Sequence, residues 1–199
     1  MKKIPLPILL FGLMFLAGYA GFFVFQWMHD PEPDTETVKK SAGLVSATDM
    51  LLTGLPRPDF EMKDPDGKVH SVSEWDGKVL VLNFWAPWCT PCKKEIPVFN
   101  DLQEKFADQG LQFVGLAVDT PDEVKNFLKK MPLNYPTLVG EDDAMDIARI
   151  YGNNIGALPY TVIIDRSGKI VFTRKGDMKK AEAEKIFSSM FDQGTPDQG

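Results

Sequence analysis

Two cysteines and two histidines are the whole stock of thiol and imidazole metal ligands in this 199-residue chain. A structural zinc site takes about four such ligands at short, regular spacings. His29 and His70 show no such spacing relative to the cysteines, so metal binding is not expected. Two cysteines also cannot build the multi-bridge framework of a small secreted scaffold. An excess of basic charge is missing as well: 22 Lys and Arg stand against 28 Asp and Glu, a net charge of -6. Without a basic patch the chain has no electrostatic footprint for nucleic acid. Internal repeats are absent, and low-complexity sequence is confined to a short spacer and a short tail. What is left is room for one sizeable domain with appendages.

The two cysteines that are present stand close together, in Trp88-Cys89-Thr90-Pro91-Cys92. They follow the apolar run Val79-Leu80-Val81-Leu82-Asn83-Phe84, which reads as a strand covered on both faces. The segment after them reads as a helix from about Thr90 to Asp108, with Cys92, Phe99, Leu102 and Phe106 on one stripe and Pro97 as a kink. Thiol chemistry is carried by the thiolate, and unpaired N–H groups at a helix start favour negative charge. Cys89 is placed to feel them most. Cys92, one turn in, is placed to attack a mixed disulfide formed at Cys89. A structural disulfide over so short a span would contribute little chain entropy. The pair therefore reads as a redox switch.

Ile4 to Met28 carries no charge, a stretch of about 25 residues that suffices to cross a hydrocarbon core of ~30 Å. Lys2 and Lys3 precede it and Asp30, Glu32 and Asp34 follow. The positive-inside bias leaves the N-terminus in the cytoplasm and the rest outside. The competing reading is a signal peptide cut after Gly18-Tyr19-Ala20, but apolar sequence continues through Phe25 and Trp27 suits an interface anchor. The expected organisation is an anchor over 1–28, a spacer over 29–55, a domain over 56–192 and a loose tail over 193–199. Either way the cysteines face an oxidising compartment.

Within the domain, Asp64-Pro65-Asp66-Gly67 marks a turn between the extended pieces Phe60–Lys63 and Lys68–His70, an edge hairpin with His70 exposed. Leu111–Val118 is a second buried strand. Thr120-Pro121-Asp122-Glu123 has the form of a helix start, and Tyr135–Val139 a further extended piece. Ala144, Ile147, Ala148 and Tyr151 repeat at helical spacing. Tyr160–Ile164 and Ile170–Arg174 form a second hairpin, and a last helix begins near Met178. A short helix over Ala47–Leu52 is also expected. Alternating strands and helices imply an α/β domain with a mixed central sheet covered on both faces.

Asn83-Phe84-Trp85-Ala86-Pro87-Trp88-Cys89-Thr90-Pro91-Cys92-Lys93-Lys94-Glu95-Ile96-Pro97 and Ala157-Leu158-Pro159-Tyr160-Thr161 carry a resemblance. Over about Pro56 to Phe191 the chain resembles the thioredoxin superfamily. More narrowly, it is similar to the membrane-anchored TlpA/ResA-type thiol–disulfide oxidoreductases outside the bacterial cytoplasmic membrane. The resemblance implies a thioredoxin-like fold with an N-terminal β-hairpin. It also implies a central insertion over about Thr120 to Gly140 and a cis bond before Pro159, facing the disulfide. It implies Cys89 and Cys92 as the catalytic pair, with no cofactor beyond their disulfide. Pro87, Trp88, Thr90, Pro91, Leu158 and Pro159 are implied as the substrate-contacting rim, whereas Trp85 is expected to be core. Thioredoxins of the cytosol hold a buried aspartate where this chain has Asn83. The proton role that aspartate serves passes, by resemblance, to Glu95, and a glutamine at 95 is expected to leave thermal stability nearly unchanged.

The function implied is reduction of disulfides in extracytoplasmic proteins, for example in cytochrome c maturation, with electrons from a membrane thiol transporter. An oxidant or isomerase is the alternative direction. A peroxiredoxin would need Thr or Ser three residues before its peroxidatic cysteine and Pro four further back, where Ala86 and Leu82 stand. A tethered binding module using the same groove is the non-enzymatic alternative, which replacing both cysteines by serine would leave functional.

Overall fold

The strand β3, Val79–Trp85, is buried at every position, as its unbroken apolar run demands. In the computed structural model, which describes residues 52–192, this strand lies inside a seven-stranded sheet. The expected anchor, nearly all of the spacer, most of the short helix over Ala47–Leu52, and the tail lie outside the described residues. No helix among the described residues is long and apolar enough to cross a membrane.

On one side of β3 runs β4, Leu111–Ala117, in parallel register, and beyond it the parallel β5, Thr137–Val139. On the other side β6, Tyr160–Ile164, is antiparallel, and β7, Ile170–Lys175, pairs antiparallel with β6. The hairpin of β1, Glu61–Lys63, and β2, Val69–Ser71, joins antiparallel to β5. The sheet order is β2-β1-β5-β4-β3-β6-β7, the mixed architecture expected, with the hairpin at one edge. At the other edge, the segment around Pro56 lies alongside the start of β7. Gly54 N–H donates to the Ile170 carbonyl at 2.7 Å and Ile170 N–H to that of Leu55 at 2.9 Å.

Four helices cover the sheet: α1, Thr90–Phe106; α2, Pro121–Leu128; α3, Asp142–Ile150; and α4, Lys180–Asp192. Alternation along β3 sorts them. Leu80, Leu82 and Phe84 face Ala144, Ile147, Ala148 and Tyr151 of the α3 side. Val79 and Val81 face Phe99, Leu102 and Phe106 of α1 and Phe187 of α4. Burying a large apolar side chain contributes on the order of 1.5–3 kcal/mol, so these two clusters hold the layers together. The expected insertion is present as α2 and β5. Thr120 caps α2 by accepting the Glu123 N–H.

Three details depart from the sequence reading. α1 ends at Phe106 and continues as a 3-10 turn over Ala107–Gln109 to Gly110, whose φ of 90° closes it. The last helix begins at Lys180, leaving Met178 as a buried residue of the preceding loop. His70 is not an exposed hairpin residue. Its ring stacks on Trp75 with centroids 6.3 Å apart, Nδ1 lies 2.9 Å from Glu74 and Nε2 3.3 Å from Asp64. A 3-10 turn over Val72–Trp75, capped through Ser71 and Glu74, swings Glu74 and Trp75 onto the histidine.

Candidate active site

Cys89 is the N-cap of α1 and Cys92 lies in its first turn. The two are joined in a disulfide. Pro91, within the first two helical positions, has no N–H to leave unsatisfied. Cys92 N–H donates to the Cys89 sulfur at 3.3 Å. That donor, with the helix start behind it, is positioned to stabilise a thiolate on Cys89 once the bond is reduced. Burial separates the partners: Cys89 keeps 5% of its surface and Cys92 none. An incoming sulfur therefore meets Cys89.

The rim is built around that opening. Trp88 is 64% exposed, Thr90 and Pro91 are exposed, and Pro87 is half-buried. Leu158–Pro159 is a cis peptide bond, and Leu158 packs on the cluster that contains both cysteines and Trp85. The structure thus brings Leu158 to the cysteines from a distant segment, and Pro159 beside it is buried. Trp85 is fully buried, as expected of core.

Sequence reasoning missed the residue that shapes the proline loop. Asn153 is fully buried. Its Nδ2 donates to the Ala157 carbonyl at 2.8 Å and its Oδ1 accepts the Ala157 N–H at 3.0 Å. One side chain thereby closes the turn leading into Pro159. An asparagine followed by a glycine-containing loop was the available signal, since such amides commonly bond nearby backbone.

Behind the disulfide lies Glu95, one turn after Cys92 on the buried side of α1 and only 1% exposed. Its Oε1 accepts from Asn83 Nδ2 at 2.8 Å and its Oε2 from Met178 N–H at 3.1 Å. Burial pushes its carboxyl up to about 7; the bonds from Met178 and Asn83 oppose this, and nearby Asp177 adds to it. Glu95 is therefore no solvated helix residue. It also ties α1 to β3 and to the loop before α4, and the one acceptor oxygen of a glutamine at 95 would keep only part of those ties. Tyr135, whose hydroxyl is held neutral by its burial and then by Glu95, is the other perturbed group on this side.

Register explains the polar pocket. Asn83 pairs with Gly115 on one side and Thr161 on the other, and Gly115 pairs with Thr137. A row of small or polar residues crosses an otherwise apolar sheet beneath Glu95. A Cβ at Gly115 would stand 2.8 Å from Trp85 Nε1, so the glycine makes room for the indole that packs under the disulfide.

The sequence profile of the AhpC/TSA family matches residues 53–173, from the segment before β1 into β7. The chain belongs to this thioredoxin-like family. Among curated relatives it is 32% identical over 191 residues to the thiol-disulfide oxidoreductase ResA of Bacillus cereus (strain ATCC 10987 / NRS 248), covering 96% of this chain and 99% of that one. It is 34% identical over 133 residues to ResA of Bacillus subtilis (strain 168), covering 64% of this chain and 70% of that one. A putative thiol:disulfide interchange protein DsbE from Chlorobium tepidum superposes with a TM-score of 0.64 at 27% identity, covering 70% of this chain and 97% of that chain. DsbF from MTB, solved in mixed oxidised and reduced forms, gives 0.57 at 26% identity, covering 66% of this chain and 94% of that chain. With its fold, its Cys89–Cys92 pair and these relatives, this AhpC/TSA-family chain is a thiol:disulfide oxidoreductase of the TlpA/ResA-like kind.

Proposed function

We propose that this oxidoreductase reduces disulfides in extracytoplasmic proteins, cytochrome c maturation among its uses, while tethered by an anchor over 1–28. The observation that carries the order of steps is the unequal burial of the two sulfurs, with a carboxyl behind the covered one. In the reduced chain the Cys89 thiolate attacks one sulfur of a substrate disulfide. The other substrate sulfur leaves as a thiolate and takes a proton from water. Cys92 then gives its proton to the Glu95 carboxylate and attacks the Cys89 sulfur. The second substrate thiolate leaves, and two electrons have passed from the pair to the substrate. A membrane thiol transporter, acting through the reverse exchange at Cys89, restores the dithiol. Trp88, Pro87, Thr90, Pro91, Leu158 and Pro159 hold the substrate backbone at the opening, and no cofactor or metal takes part.

The charge pattern supports reduction over oxidation. Strong oxidants of this kind over-stabilise the thiolate. Here Thr90 and Pro91 place no cation between the cysteines, and a buried carboxyl resists a second negative charge. Potentials of such pairs run from about −270 mV for strong reductants to about −120 mV for strong oxidants. Equilibration of the full chain against a dithiothreitol buffer is expected to give a value toward the reducing end. A potential close to −120 mV would instead favour the oxidant or isomerase reading. Cys92→Ser, which halts the cycle at the mixed disulfide, is expected to capture substrates on Cys89, and capture of proteins that carry no cysteine pair would count against the reductase role.

A further inference from the structure

Asn83 is fully buried at the middle of the central strand, yet only half of its amide is satisfied. Nδ2 donates to Glu95 Oε1 at 2.8 Å and lies 3.4 Å from Thr161 Oγ1. Among the described residues Oδ1 has no hydrogen-bond partner. A buried acceptor left unpaired costs about 1–3 kcal/mol. The arrangement suits an ionised Glu95, which only accepts. A protonated Glu95 needs an acceptor for its own O–H, and Nδ2 is not one. Turning the amide over about its Cβ–Cγ bond puts Oδ1 where Nδ2 stands, because the two groups fill nearly the same space. Oδ1 would then accept from the Glu95 hydroxyl on one side and from the Thr161 hydroxyl on the other. Thr161 serves both arrangements, since its hydroxyl rotates to accept or donate.

We propose that Asn83 is a positioning residue whose side-chain amide turns over with the proton on Glu95, so that the carboxyl keeps a partner in both of its states. This rests on the reading that Glu95 takes the proton of Cys92. An aspartate at 83 would not do the same work, because two carboxyls at 2.8 Å share a proton and titrate as a pair. A leucine would leave Glu95 Oε1 without its donor. The amide therefore lets one buried carboxyl move a proton alone.

The groups that face Glu95 are few. Asn83 faces it from β3, with Thr161 of β6 bonded to the same amide, Cys92 from its own helix, Met178 N–H and Asp177 from the loop before α4, and Tyr135 from the segment before β5. Among the described residues no lysine, arginine or histidine is hydrogen-bonded to its carboxylate.

The test is the titration of Glu95 itself in the full chain, followed through the carboxyl carbon by nuclear magnetic resonance. The Asn83 side-chain NH2 signals are followed in the same samples. In the wild type the Asn83 signals are expected to move with the midpoint of Glu95, and in Glu95→Gln they are expected to lose that response. In Asn83→Leu the Glu95 midpoint is expected to rise by less than about one pH unit, because the charged state loses a donor and the protonated state loses an acceptor. Asn83→Asp, close to isosteric, serves should leucine not fold, and is expected to split the titration into two steps on either side of the wild-type midpoint. Asn83 signals that ignore the Glu95 transition would overturn the proposal, as would a rise of about two units in Asn83→Leu, the loss of a donor that serves the charged state alone. Failure of the underlying reading looks different. The coupling of Asn83 to Glu95 would stand, while Glu95→Gln would leave the pH profile of thiol reactivity unchanged.

Discussion

The sulfur at position 89 and the carboxyl at position 95 make opposite demands on their surroundings, and each is placed to have them met. Cys89 needs contact with solvent and a nearby donor, which its 5% exposure and the Cys92 N–H supply. Alkylation of the reduced chain at mildly acidic pH is expected to label Cys89 well before Cys92, read by peptide mass analysis; preferential labelling of Cys92 would reverse their roles. Glu95 instead is held away from water, and its carboxyl binds a proton more tightly folded than unfolded, at about 7 against 4.5. A group raised in this way stabilises the fold fully below the unfolded value, and that stability is lost as pH climbs through the folded value. Between pH 4.5 and 7 the chain is therefore expected to lose about 3 kcal/mol of stability from this group alone. Glu95→Gln has no proton to lose and is expected to gain on the wild type as pH rises, measured by urea unfolding of the oxidised forms at pH 5 and 8. A difference independent of pH would show that the buried carboxyl does not carry the proton. Cys89 and Cys92 were legible from spacing alone. Glu95 was legible only through resemblance, because helical spacing puts it on the face of Cys92 without saying whether water reaches it.

Elements were legible where a single period dominates. The unbroken apolar run of β3, the helical stripe of α1 and the proline-led start of α2 each admitted one structure. Boundaries were less so: α1 tightens into a 3-10 turn at Ala107 because Gly110 offers a left-handed exit, a choice that periodicity does not register. The turn over Val72–Trp75 escaped notice because it spans barely more than one helical period, although Ser71 and Glu74 spelled its cap. The loop into Pro159 escaped for another reason. Its order comes from one buried amide with two bonds to Ala157, and no local pattern tells an amide that clamps a turn from one that faces water. Asn153→Ala leaves the Ala157 N–H and carbonyl without those partners, a loss of about 1–3 kcal/mol for two part-buried bonds. It is expected to lower kcat/KM for a protein disulfide more than it lowers the alkylation rate of Cys89. Equal loss in both would mean that the loop acts on the thiol and not on the substrate.

Across the whole molecule, strand order was the least legible property. Alternating elements implied a mixed sheet, but that β1 would dock against β5, an element of the central insertion, depends on contacts far apart in sequence. The proposed anchor is a whole-chain property too. After an alkaline wash the protein is expected to stay in the membrane pellet at full length, read by immunoblot. A shortened soluble form beginning near Gly21 would identify a cleaved signal peptide instead.

The treatment of the two sheet edges carries a consequence for life at high density. One edge is β2, only three residues long, and the other has its first residue, Ile170, already bonded to Gly54 and Leu55. Open strand edges are templates on which a second copy can add itself. Here one rim offers little length and the other begins under cover of its own chain. Copies crowded side by side would thus find poor footing on these two edges for the stacking that seeds insoluble deposits.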